Sequence, residues 1–519
     1  MAIDYKKLQN GSDIRGVLID IPGGRPVDLT EESVSNIGAA FALYAAKKLN
    51  KSIGDVRIGI GRDSRLDGDK LVSWLISGIT LTGASAFDGG MASTPAMFMC
   101  CVNELRFDAG IMATASHLPM ERNGMKFFIG APEGEDEALG GLEKQDISAI
   151  LEMAQKAEFT CAKTCGRIEK TDIMTPYIEG LKTKILASLG ESADAKPFAG
   201  MRIVVDAGNG AGGFFATRLL APLGADITGS RFLEPDGRFP NHQPNPENEE
   251  AMNSIVEAVE TSNAQLGIIF DTDVDRAGAV LPNADGCAIA LDRNRLIALM
   301  TAILEKEYGK ITIVTDSITS TGLADFISEL GCRHHRFKRG YRNVINEAKR
   351  LMSEDEKAIF AMETSGHGAL FENYFLDDGA YIIVKILVEF VRATRRGETL
   401  ADLISTLAEP VESTEVRMGV NTEDFAVYTE KVLEKVKTHF ADKVGFFLVE
   451  PNFEGVRVGA DKAHGDGWFL IRRSLHDPLM PANLESNSLG GTQKLASALY
   501  GALTGSDLLD TEGLKNIIK

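Results

Sequence analysis

Residues 266–278 read LGIIFDTDVDRAG. Five residues of apolar, strand-length sequence run into three alternating aspartates and an arginine. Such a run, ending in a polar loop, is how a buried strand delivers chemistry at its carboxyl end in an α/β fold. The same shape occurs twice more, in DAGIMATASH from 108 and AIFAMETSGH from 358. Two further strand-like elements precede each run, in the same order. They are VRIGIGRDSR from 56 and LTGASAFDGG from 81, MRIVVDAGNGAGG from 201 and PLGADITGS from 222, and KITIVTDSITSTG from 310 and ELGCRHHRF from 329. In each pair the first is a β-branched run with a Gly, Asp or Ser turn and a helix-compatible sequel. The second begins beside a glycine suited to a helix C-terminus. The recurrence predicts a threefold internal repeat of one α/β unit.

A chain of 519 residues is too long for a single core. From about 411 the repeat pattern stops. DFAVYTEKVLEKVKTHF reads as an amphipathic helix and GWFLIRRSLHDP as a strand ending in a basic loop. The expected organisation is three similar α/β domains with mixed or parallel sheets, over 1–170, 171–284 and 285–408, and a smaller α+β domain over 409–519.

The formal net charge is -19, which argues against nucleic-acid and membrane-surface partners while leaving small anionic substrates open. Cysteines 100, 101, 161, 165, 287 and 332 are scattered without a CxxC pair and read as reduced, buried, cytosolic thiols. The start, MAIDYKKLQN, has no apolar signal region. The apolar stretch YIIVKILVEFV is short and is interrupted by Lys385 and Glu389. A cytoplasmic protein is expected. The basic run CRHHRFKRGYRN, 332–343, reads first as a solvated face.

The loops carry the chemistry. In an extended backbone Asp271, Asp273 and Asp275 share one face, and three crowded carboxylates repel unless a cation sits among them. Oxygen donors favour Mg²⁺ or Mn²⁺. An acidic surface turn is the other reading. Arg276, next in sequence, suits a phosphate oxygen near the ion. TASHLPMERNGMKFF, from 113, offers Ser116, His117 and Lys126. If Ser116 bears a phosphate, a phosphoryl oxygen would complete the coordination of an ion held by the aspartates. Lys126 and Arg15 would then spread the charge of an in-line transfer, and His117 would donate a hydrogen bond or move a proton. METSGHGAL, from 362, sets out Glu363 and Ser365 for vicinal sugar hydroxyls, with His367 serving there or capping the turn. Arg472, Ser474 and the amides between them suit a remote phosphate.

Taken together these segments resemble the α-D-phosphohexomutase superfamily, which includes phosphoglucomutase and phosphomannomutase. TASHLPMERNGMKFF is similar to its phosphoserine loop, DTDVDRAG to its metal loop and ETSGH to its sugar-binding motif. SDIRG at 12–16 and GRDSRLDG at 61–68 are similar to two further segments. The resemblance implies four domains around a central cleft and Ser116 as the phosphorylated residue. It implies Asp271, Asp273 and Asp275 as Mg²⁺ ligands together with the Ser116 phosphate, and Arg15, His117 and Lys126 as helpers of transfer. Glu363 and Ser365 would hold sugar hydroxyls, while Gly340 and Tyr341 lie where relatives place a specificity loop. The implied reaction interconverts hexose 1-phosphate and 6-phosphate, of glucose or mannose, through hexose 1,6-bisphosphate. The chain departs in its last loop, where Leu475 and His476 replace the family's Gly and Thr, and His476 would take over a phosphate contact. Two alternatives stand beside this reading. One is a non-catalytic relative that binds sugar phosphates or a partner protein. The other is a phosphatase that uses Asp271 and Asp273 as a DxD pair.

Overall fold

The computed structural model describes residues 3–132, 135, 138–282, 287–291, 293–474 and 477–519. The chain forms two compact units, one of residues 1–292 with 365–401 and one of residues 293–364 with 402–519. The expected seam near 284, and His476, lie outside the described residues.

The first unit opens with a mixed sheet. Its strand order is Gln9–Asn10, Asp13–Val17, Arg122–Ile129, Ala109–Ala113, Arg57–Arg62, Ser85–Met91 and Ile168–Lys170, with Gly140–Gly141 beside Arg122–Ile129. Arg57–Arg62 is parallel to both its neighbours, whereas Ala109–Ala113 and Arg122–Ile129 form an antiparallel pair. Helix Glu31–Lys48 starts at a capping box in which Thr30 and Ser33 satisfy each other's amides at 3.2 and 2.8 Å. Glu31 and Glu32 in its first turn and Lys47 and Lys48 in its last oppose the helix dipole. Its buried face reaches the sheet through Phe41, whose ring lies 4.6 Å from that of Phe127.

The second sheet of this unit runs Ala288–Leu291, Ala277–Pro282, Leu266–Phe270, Ile203–Asp206. Only the last two strands are parallel. The strand expected within PLGADITGS is reduced to isolated bridges, Arg202 with Asp226 and Asp206 with Arg231. Gly224 and Gly229 stand at φ +95° and +102°, and the Asp226 carboxylate turns back on the Thr228 amide at 2.9 Å. The segment therefore cannot stay extended. Phe270, fully buried, meets the Phe215 ring edge-on at 5.1 Å. Phe270→Ala is expected to cost about 3–5 kcal/mol in chemical denaturation, because the cavity opens under a tight turn that cannot collapse into it.

A hairpin, Gly368–Leu370 with Leu376–Asp377, leads into helix Gly379–Arg396. This helix contains the run YIIVKILVEFV. Its two charges are paired, Lys385 with Glu372 at 2.8 Å and Glu389 with Arg396 at 2.9 Å. Among the described residues no helix is long and apolar enough to cross a membrane.

In the second unit Thr312–Thr315 lies parallel to both Arg333–Arg336 and Phe360–Met362. The basic run is thus not a solvated face at its start. His334 meets the Thr315 hydroxyl at 2.7 Å, and buried His335 meets Glu347 at 2.9 Å. A period-2 strand turns alternate residues inward even when its composition is polar. The C-terminal part is α+β. An antiparallel sheet runs Glu412–Gly419, Leu479–Ser486, Gly467–Ile471, Val456–Ala460, Phe446–Leu448. Helices Phe425–Phe440 and Gly491–Leu503 cover it over Met418, Phe440 and Phe469. Among the described residues no cysteine forms a disulfide, and only Cys100, Cys101 and Cys332 are buried. Cys161, Cys165 and Cys287 lie at the surface, because the polar segments that carry them supply no core.

Candidate active site

Two antiparallel pairs build the centre of the first unit. In the first, Met112 faces Lys126 and Ala113 faces Met125, so the intervening turn carries Ser116 and His117 while the return strand brings Lys126 back beside it. Ser116 sits at φ +48°, in the left-handed region that non-glycine residues rarely adopt. Its amide bonds the Thr114 hydroxyl at 2.8 Å. Arg15, on the strand alongside, pairs with Asp13 at 2.8 Å and contacts the Thr114 carbonyl.

In the second pair Phe270 faces Ala277, which closes residues 271–276 into a tight loop. Val274 takes φ +68°, a severe strain for a β-branched side chain. The three carboxylates therefore converge through a turn rather than along an extended run. One oxygen of each lies within 4.8 Å of the others. Gly210 lets a neighbouring loop press on this turn, since a Cβ there would lie 2.7 Å from the Thr272 carbonyl oxygen.

The two loops meet. Ser116 Oγ donates to Asp271 Oδ2 at 3.1 Å, across 155 residues of sequence. Arg276 donates to Ser116 Oγ at 3.2 Å, to His117 Nδ1 at 2.7 Å and to Asp271 Oδ2 at 3.1 Å. Lys126 Nζ lies 3.1 Å from Asp273 and in contact with Asp275. Family models described as phosphoglucomutase/phosphomannomutase alpha/beta/alpha domains I, II and III match residues 6–151, 175–286 and 292–411. A phosphoglucomutase of Neisseria gonorrhoeae is 30% identical over 498 residues, covering 95% of this chain and 96% of that protein.

The chain belongs to the phosphoglucomutase/phosphomannomutase family. A phosphomannomutase/phosphoglucomutase of Pseudomonas aeruginosa is also 30% identical, over 95% of each chain. The crystal structure of a phosphoglucomutase/phosphomannomutase family protein from Burkholderia thailandensis superposes with a TM-score of 0.76 at 26% identity, covering 97% of this chain and 98% of that one.

The electrostatics of this mutase-family site are those of a cation pocket. Asp271, Asp273 and Asp275 are all at most 1% exposed, and Lys126 and Arg276 pair with the trio. Burial, and then the charges of Asp275 and Asp273, push the Asp271 carboxyl well above the usual range. Asp275 moves down despite burial, because Lys126 leads the groups holding it ionised. Asp273 Oδ1 and Asp275 Oδ1 are buried without a hydrogen-bond partner. Orphaned buried carboxylate oxygens in an oxygen-only donor set fit a hard divalent cation. Burial, with Arg276 next, depresses His117 to about 3, so its ring is neutral and Nδ1 accepts from Arg276.

Ser365 and His367 belong to the same unit. The segment bridges to Arg276 through His367. His367 Nδ1 lies 2.5 Å from Asp377 Oδ2. Burial opposes its charge, but Asp377 and Asp275 outweigh burial and raise the imidazole to about 9.

Gly340, Tyr341, Glu363, Arg472 and Ser474 belong to the second unit. Glu363 accepts the Gly340 amide at 2.5 Å, and Gly340, at φ +112°, starts helix Tyr341–Ser353. Burial and the charge of Glu363 raise the Asp316 carboxyl to about 7. Arg472 is buried and has Nε unpartnered, with Glu454 the leading charge beside it. The Ser474 amide bonds the Leu479 carbonyl at 3.0 Å, closing the loop that carries it.

Three contacts had no local signature. Thr94 begins a helix and hydrogen-bonds Asp273 Oδ2 at 2.5 Å. Its neighbours Ser93 and Pro95 announce a helix start but nothing beyond it. Asn245 receives Arg276 at 3.1 Å from a loop that reads only as a turn. Asp377 stands in FLDDG with no cue to His367.

Proposed function

We propose that this chain interconverts hexose 1-phosphate and hexose 6-phosphate, with glucose preferred and mannose accepted, through phosphorylated Ser116 and a hexose 1,6-bisphosphate intermediate. The observation that carries the reading is the 3.1 Å approach of Ser116 Oγ to Asp271, with Arg276 bonded to both. A phosphoryl group on Ser116 would emerge among the carboxylate trio, Arg276 and Lys126.

Asp271, Asp273 and Asp275 would hold Mg²⁺. The ion would supply Lewis-acid charge stabilisation to the phosphoryl oxygens. The other parts follow from this chain's residues. A sugar hydroxyl oxygen bonds to phosphorus as the bond from phosphorus to Ser116 Oγ breaks, and the proton the sugar hydroxyl gives up is balanced by one taken up at Oγ, which restores the serine hydroxyl. Arg276 and Lys126 balance the charge that moves onto Oγ, and Arg15 steadies the loop's base. Neutral His117 sits 3.3 Å from Oγ, within reach for a hydrogen bond in the transfer. His367 lies on the side of Asp275 and Asp377, suited to the sugar's reacting hydroxyl. Glu363 and Ser365 would orient sugar hydroxyls, with Gly340 and Tyr341 shaping the subsite. Arg472, Ser474 and His476 would bind the phosphate that is not reacting. The bisphosphate then turns over and returns its other phosphate to Ser116. The compartment in keeping with six cysteines outside disulfides is the cytoplasm.

The purified protein should convert glucose 1-phosphate and mannose 1-phosphate to the 6-phosphates in the presence of Mg²⁺ and trace glucose 1,6-bisphosphate. Chelation should lower the rate on the order of 100-fold or more, and Mg²⁺ should restore it. If neither sugar turns over with activator and Mg²⁺ present while calorimetry still detects binding, the chain is the non-catalytic relative instead.

A further inference from the structure

We infer that Arg65 is the positioning residue for Ser116, the side chain that sets the serine loop in its left-handed turn and ties it to the segment carrying its partner loop. The inference rests on the reading of Ser116 as the phosphoryl carrier for its consequence, but not for its geometry.

Arg65 ends the segment GRDSR. It is 1% exposed, among the largest fully buried side chains of the molecule. Its guanidinium is spent on one loop. Nη1 donates to the carbonyls of Pro119 and Arg122 at 2.9 Å each, and Nη2 contacts the carbonyls of Ser116 and Leu118. The four acceptors lie within seven residues, and the Pro119 carbonyl also takes the Arg122 amide at 3.0 Å, closing the turn that Arg65 grips. A backbone at φ +48° on a serine persists only where its surroundings over-determine it, and this fork supplies that determination.

Arg65 is itself held. Asp63 Oδ1 accepts the Arg65 amide at 3.0 Å, and Asp63 Oδ2 faces Nε at 3.6 Å. A second attachment leads to the other α/β segment of the same unit. The Arg65 backbone bridges to Gly237, where a Cβ would lie 2.4 Å from the Leu66 nitrogen, and the guanidinium rests 5.4 Å from the Phe239 ring centroid. The Ser116 to Asp271 approach depends on both segments, and one planar cation touches both. A lysine cannot take this place. It offers a point charge on a flexible stem where four carbonyls need a rigid planar fork.

The test uses the full chain with Arg65→Lys and Arg65→Met. Hydrogen exchange at the amides of residues 114–122 should speed up at least about tenfold in both, whatever the turnover. For glucose 1-phosphate, kcat should fall on the order of 100-fold while KM stays within about threefold, as expected when reacting groups are displaced and binding is kept. Labelling of Ser116 by glucose 1,6-bisphosphate should slow in parallel. Mg²⁺ affinity should stay within about threefold of wild type, because the aspartates stand on another loop. Arg65→Lys with unchanged exchange and wild-type kcat would overturn the inference. So would Mg²⁺ affinity collapsing along with kcat, which marks a general loosening. If Arg65→Met does not fold, Arg65→Lys decides alone. A wild-type protein without mutase turnover would strike the proposed function, while the exchange measurement would still judge the clamp.

Discussion

Ser116→Ala is expected to lower turnover of glucose 1-phosphate by at least about 10⁴-fold, or about 5.5 kcal/mol of transition-state stabilisation. The variant should also take up no phosphoryl group from glucose 1,6-bisphosphate, as read by intact mass. The substitution is a clean one. Ser116 contributes one hydroxyl to Asp271, Arg276 and His117, and these three retain one another when it is gone. The turn is held by its backbone carbonyls, which alanine keeps, and alanine tolerates φ +48° no worse than serine. The fold should therefore survive and the loss should fall on chemistry. A variant that keeps turnover within tenfold of wild type means the phosphoryl group is carried elsewhere, and the functional reading fails.

Asp271→Asn should produce the second large effect, and with a sign that separates a cation site from a structural ion pair. In the metal-free protein the trio crowds three carboxylates in a dry pocket, and the ionised form of Asp271 is disfavoured there even with Arg276 beside it. An isosteric amide removes that penalty while still accepting from Ser116. The metal-free melting temperature should hold or rise. Wild type should gain about 2.7 kcal/mol from Mg²⁺ at a hundred times its dissociation constant. The variant should gain close to nothing, and its turnover should fall with the lost ion. A variant that melts lower than wild type without metal, yet still responds to Mg²⁺, would make Asp271 a structural partner of Arg276 and leave the ion without its site.

The record of legibility follows the range of the forces involved. Local patterns spoke clearly. LGIIF, IGIG and IVVD read as buried strands because an apolar run of that length has few other ways to lose its contact with water. The amphipathic helix at 425–440 follows from neighbours a turn apart. Where a pattern failed, a local competitor had won. Glycines at positive φ and an Asp226 turn dissolved the strand expected at 222–230, and pleat alternation buried His335 within a run that reads as basic.

By itself the sequence determined the repeat, the α/β class and the three chemistry-bearing loops, since strand length, alternation and turn residues act over a few positions. It also presented Ser116, Lys126 and the aspartate trio as candidates, because their types alone suit phosphoryl and cation chemistry. Only the tertiary structure decided which of them meet. Coordination and hydrogen bonding act over about 3 Å, and nothing along the chain measures the space between Ser116 and Asp271, Thr94 and Asp273, or Arg65 and the carbonyls it gathers. Those distances are set by how whole strands pair and pack, a property of the assembled core that no short window of residues contains.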